Sequence, residues 1–64
     1  MTDVPLCLLR ARREMLKALS ADTAEAEGVH RRRANRYVSE AVQIIELEPD
    51  RVYDWSCLRG DYLQ

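Results

Sequence analysis

Apolar residues recur at three- and four-residue spacing along two stretches of this chain, and each stripe is wider than a pair of facing helices can cover. At about 100° per residue, Leu8, Met15, Leu19 and Ala26 fall on one line. Leu9, Leu16, Ala11 and Ala18 flank that line, while Arg10, Arg13, Glu14, Lys17 and Ala21 take the back. This spacing predicts an amphipathic helix over residues 4–27. Thr2 or Asp3 stands where an N-cap is needed, and Pro5 is tolerated in a first helical turn. A second stripe, Ala34, Tyr37, Val38, Ala41, Ile44 and Ile45, predicts a helix over residues 30–47, with Arg32, Asn35, Arg36, Ser39 and Gln43 facing away. Pro49 cannot continue it and pushes Glu48 towards an extended conformation.

Between the stripes, Gly28 followed by Val29 matches the pairing that closes many helices, so the turn is expected there. Ser20 to Thr23 offers a competing break, because Asp22 and Glu25 have capping-box spacing. One long coiled-coil helix is the rival, since the stripes differ in phase by only about 50° and an interior glycine costs only about 1 kcal/mol. Asp50 is placed to cap a short helix over residues 50–59 that Gly60 ends. Tyr53, Trp55 and Cys57 alternate with polar residues there, which also suits an extended strand. The expected fold is all-α: residues 1–64 form one helical domain, an antiparallel hairpin plus a short C-terminal helix.

A chain of 64 residues hides only a modest share of its surface, so a solitary core is marginal. Yet 47% of the residues are hydrophobic, too many for a disordered chain. Two hairpins about a twofold axis would cover the surplus as a four-helix bundle, so a homodimer is expected. Its core and interface would comprise Leu8, Leu9, Met15, Leu16 and Leu19 with Tyr37, Val38, Ala41, Ile44 and Ile45. A turn at Gly28 puts Leu19 near Tyr37, Met15 near Ala41 and Asp22 level with Arg33. Arg12, inside the first stripe, is expected to snorkel or to pair with Glu46 or Glu48; the sharper reading sends it across the dimer interface or into a partner's acidic pocket.

Ten basic and eleven acidic residues leave a formal net charge of −1, so general attraction to nucleic acid or anionic lipid is not expected. No window approaches the ~18 apolar residues that span a bilayer, and the run from Val4 to Leu9 is too short for a leader core. Cys7 and Cys57 stand far apart, and His30 is the single histidine. That pattern implies no metal site, no cofactor and free thiols in a cytoplasmic protein. A Cys7–Cys57 bridge would require the tail to fold back on the first helix. His30 has no serine or cysteine placed to use it, and so short a chain encloses no substrate. An enzyme is not expected.

Binding is. The run His30-Arg31-Arg32-Arg33-Ala34-Asn35-Arg36 carries four arginines, but on a helix they fan over more than half the circumference. A helix running through Gly28 would pair Glu27 with Arg31, and Arg36 has Glu40 four positions on. Solvated charge is the bland reading; phosphate contact through Arg31, Arg32, Arg33, Asn35 and Arg36, or contact with an acidic protein surface, is the sharper one. Trp55 either caps the open end of the bundle over Leu8 or Ile44 or, with Tyr53 and Tyr62, supplies a binding hot spot. The leading expectation is a small protein-binding regulator, an inhibitor or adaptor that occludes a partner through Tyr53, Trp55, Tyr62, Arg31, Arg32 and Arg36. A dimeric nucleic-acid-binding regulator and a structural subunit of a larger assembly are the alternatives. Compact chains of this kind are common as phage and plasmid accessory proteins, an expectation that rests on size and on no particular residue.

Overall fold

A computed structural model describes the backbone of residues 3–63 and the side chains of residues 3–59. Three helices follow one another: α1 (Val4–Leu19), α2 (Ala24–Leu47) and α3 (Ser56–Leu63). The two long helices pack against each other as a hairpin, and α3 returns against α1. No strand occurs among the described residues.

The turn between α1 and α2 lies at residues 20–23, not at Gly28. Ser20 closes α1: its amide donates to the Leu16 carbonyl, and its hydroxyl donates to the carbonyls of Leu16 and Lys17. Thr23 opens α2. Its backbone is extended, and its Oγ1 accepts from the Ala26 amide at 3.1 Å. Of the residues at the competing break, Thr23 and not Asp22 is the cap. Glu25 and Glu27 add negative charge to the first turn of α2, where the helix dipole favours it. Gly28 lies inside α2, and none of the described residues has a left-handed backbone. A cap contributes about 1 kcal/mol and the acidic first turn a few tenths more. Together these outweigh the modest helical cost of one glycine.

Moving the turn shifts the register of the hairpin. His30 meets Glu14, Glu40 meets Cys7, and Ala41 packs with Val4. The expected neighbours Leu19–Tyr37, Met15–Ala41 and Asp22–Arg33 belong to a turn at Gly28 and are not the ones brought together. The seam on α1 consists of the buried Val4, Cys7, Ala11, Glu14 and Ala18. Facing it are the buried Ala34 and Ala41, with Tyr37, Ile44 and His30 half-buried. Both rows step by three and four residues, as facing helices require. Small side chains dominate, so the two backbones can approach closely and gain dispersion contacts along their length.

This seam is not the line that hydrophobicity alone picks out. Leu8, Met15 and Leu19 lie roughly 80° round the helix from it. Leu8 is half-buried against the core, whereas Met15 is 42% and Leu19 76% exposed. Glu14, expected on the solvated back of α1, is buried instead. Leu9, far round the helix from the seam, is buried as well, on the part of α1 that the returning tail can reach.

That tail departs from expectation in three ways. Its helix begins at Ser56, not near residue 50, and Asp54 rather than Asp50 heads it, accepting from the Ser56 amide at 3.0 Å. Gly60 falls within α3 and does not end it. Tyr53, not Trp55, packs on the Val4, Cys7 and Ala41 cluster, with Leu8 and Ile44 beside it. Arg12 ties the tail down by donating from Nη1 to the Leu58 carbonyl at 3.0 Å.

Two substitutions report where the turn lies. An added Cβ at Gly28 meets only Arg32 Nη1, at an ordinary 3.7 Å, so Gly28→Ala should raise unfolding free energy by about 1 kcal/mol. Thr23→Ala should lower it by about the same amount. Urea titration followed by circular dichroism reads both; a destabilising Gly28→Ala would return the turn to residue 28.

Candidate binding surfaces

Three groups of side chains are organised by this fold, and only one of them lies in the seam. His30 Nδ1 and Glu14 Oε2 are 2.6 Å apart, with Lys17 Nζ 4.0 Å from the other Glu14 oxygen. The hydrogen bond with His30 holds the Glu14 carboxyl below its ordinary range; burial opposes this, and the charge of Lys17 assists. The pair satisfies a buried carboxylate that would otherwise be costly between the helices. Neither residue stood out in the sequence as a pair. The signal that could have found them is the alanine repeat: Glu14 lies midway between Ala11 and Ala18, and His30 lies four residues before Ala34.

The second group closes the open end of the hairpin. Arg51 Nη1 lies 2.9 Å from Glu48 Oε2, its Nη2 lies 3.7 Å from Asp3 Oδ1, and the guanidinium stands 5.1 Å from the centre of the Tyr53 ring. Trp55 meets Tyr53 edge-on, with ring centres 6.0 Å apart, and keeps 44% of its surface exposed. Of the expected aromatic contacts, Tyr53 is therefore spent on the core and Trp55 is presented outward; the side chain of Tyr62 lies outside the described residues. Cys7 and Cys57 are both free thiols, the first buried and the second exposed. Burial, and then the nearby Glu40 charge, push the Cys7 thiol up, which makes it a poor nucleophile.

The third group is the arginine run, and the helix sorts it. Arg31 turns towards Glu27, 3.9 Å away, as a helix through Gly28 requires. Arg32, Arg33 and Arg36 instead converge with Val29 around an open concavity of about 310 Å³. Three of the four arginines thus share one face, narrower than the fan expected of the whole run. Asn35 is exposed and does not line it. Glu40 does not serve Arg36; its Oε2 accepts from the Cys7 thiol at 3.9 Å.

The expected interface residues divide in the same way. Leu9 and Ala41 are buried and Leu8, Tyr37 and Ile44 half-buried, while Met15, Leu16, Leu19, Val38 and Ile45 are exposed. Among the described residues, no helix is long and apolar enough to cross a membrane, and no three potential metal ligands cluster. No protein-family model matches the chain, and comparison with curated proteins and with solved structures finds no match.

The Glu14–His30 pair gives a pH signature. A carboxyl lowered in the folded state stabilises the fold above its ordinary value of 4.5, and that contribution is lost as pH falls through the folded value. Carboxyl NMR of the His30→Ala variant should show the Glu14 midpoint rising towards 4.5. An unchanged midpoint would remove His30 as the cause.

Proposed function

We propose that the protein is a non-enzymatic binding module that pairs with a second copy of itself and acts by occluding a protein partner. The observation that carries this is the uncovered apolar flank of the hairpin. On α1 it is formed by Met15 and Leu19, near the turn; on α2 it is formed by Val38, Val42 and Ile45, towards the open end. On both helices these residues lie roughly 50–110° round from the seam in the same sense of rotation. Because the helices run in opposite directions, that brings both sets to one side of the hairpin. The two patches sit diagonally, one at each end. A twofold axis would lay the turn-end patch of one copy against the open-end patch of the other, the self-complementary arrangement of an isologous interface. A flank of this extent left in water is the mark of an interaction site.

The tail supplies the contact for the second partner. Trp55 is held against Tyr53 with its outer face free, and the exposed Val52 lies three residues before it in the chain. A large ring fixed in this way is buried at little entropic cost, which is why tryptophan is frequent at binding hot spots. A rigid helical wedge bearing such a ring blocks a surface without any reacting group.

Sedimentation velocity at micromolar concentration should give a dimer, and Val38→Glu with Ile45→Glu should give a helical monomer. A wild-type monomer at every concentration would contradict the pairing. Affinity capture from the native cell should retain a protein after nuclease treatment and lose it with Trp55→Ala. Capture abolished by nuclease would instead favour the nucleic-acid reading.

A further inference from the structure

We infer that the concavity lined by Val29, Arg32, Arg33 and Arg36 is a second binding site, one that takes an acidic amphipathic segment of a protein. It rests on the protein-binding function proposed above but uses a different face of the molecule. On α2 these residues lie roughly 120° from the seam, in the sense opposite to Val38, Val42 and Ile45.

Three carboxylates near the site are committed elsewhere. Glu27 serves Arg31, Glu14 serves His30 and Lys17, and Glu40 accepts from Cys7. Arg32, Arg33 and Arg36 are left with no ion pair among the described residues, although they are gathered within little more than one helical turn around the same space. Three like charges held together repel one another, so a bound anion relieves a cost that the free protein carries. Guanidinium groups offer paired donors that match carboxylates two at a time.

Val29 decides the class of ligand. It contributes an apolar wall to a site otherwise made of guanidinium groups, and a nucleic-acid backbone has no use for one. The formal net charge of −1 offers no long-range attraction to a polyanion, and the exposed Glu25 stands one turn before Val29 on the same stripe. A long phosphate chain following the helix would meet that carboxylate. A short acidic segment with an apolar side chain between its carboxylates would not. Its apolar group would rest on Val29 while the carboxylates reach the arginines on either side.

Fluorescence anisotropy with a labelled short peptide, glutamate and leucine at helical spacing, tests the site on the full chain. Wild-type protein should bind it, and the same peptide with glutamine for glutamate should bind much more weakly. The Arg32→Gln, Arg33→Gln, Arg36→Gln triple variant should lose at least about tenfold in affinity, whereas Arg31→Gln should leave it unchanged. Circular dichroism and sedimentation of the same variants separate this site from the self-pairing flank: the triple variant should keep both helicity and oligomeric state. Tighter binding of a duplex DNA or single-stranded RNA oligomer than of the peptide would overturn the inference. So would no peptide binding, or binding indifferent to the triple change. If the pairing flank fails its own test while the peptide still binds the arginines, this site stands alone.

Discussion

The close approach of α1 and α2 along a row of small side chains is the constraint from which the rest of the molecule follows. Ala11, Ala18, Ala34 and Ala41, with Val4 and Cys7, occupy the contact. Such residues bury little area each, but they let the two backbones come near enough for contacts to accumulate along the hairpin. Most of the larger apolar side chains lie outside that narrow space. They are displaced to its edges, where Leu8 and Ile44 are half covered and Met15, Leu19, Val38 and Ile45 remain exposed. The core is slim, and the surplus of apolar surface is its direct consequence.

The same seam decides where charge goes. Glu14 enters it and is matched by His30; Glu40 turns to its edge and meets Cys7. With Glu27 held by Arg31 one turn earlier, three of the acids nearest the arginine run are engaged by the fold. A chain almost neutral in total therefore presents a locally basic concavity on one face and an apolar flank on another. Two distinct surfaces arise on so few residues because one narrow contact holds the hairpin and leaves the remaining circumference of α2 free.

The all-helical hairpin was legible because the 3.6-residue period is strong over both long helices and Pro49 stops the second. The position of the turn was harder, since Gly28-Val29 and the Ser20–Thr23 break both carry valid local chemistry. Side-chain capping by Thr23, dipole complementation by Glu25 and Glu27, and the hydroxyl of Ser20 act together at one site, whereas Gly28 offers a single effect. A turn at residues 20–23 sets a different register and a different rotation of α1 from a turn at Gly28. Weighting positions by hydrophobicity favoured Leu8, Met15 and Leu19 over the alanines that make the contact. Glu14 falls on the solvated back by the same weighting, because a buried glutamate needs a partner in the seam, and that partner lies across the turn. The convergence of Arg32, Arg33 and Arg36 was hidden in the run of four. Arg31 widens the fan on a helical wheel, and only its contact with Glu27 removes it.

Pairing of Val4 with Ala41 is the contact that the turn, the seam and both exposed faces depend upon. Methyl NOE spectroscopy on a sample in which only one chain of any assembly carries the label observes it within a single molecule. Cross-peaks between the Val4 and Ala41 methyl groups are the predicted result. Cross-peaks linking Met15 to Ala41 and Leu19 to Tyr37 in their place would contradict it, because only a hairpin turning at Gly28 brings those residues together.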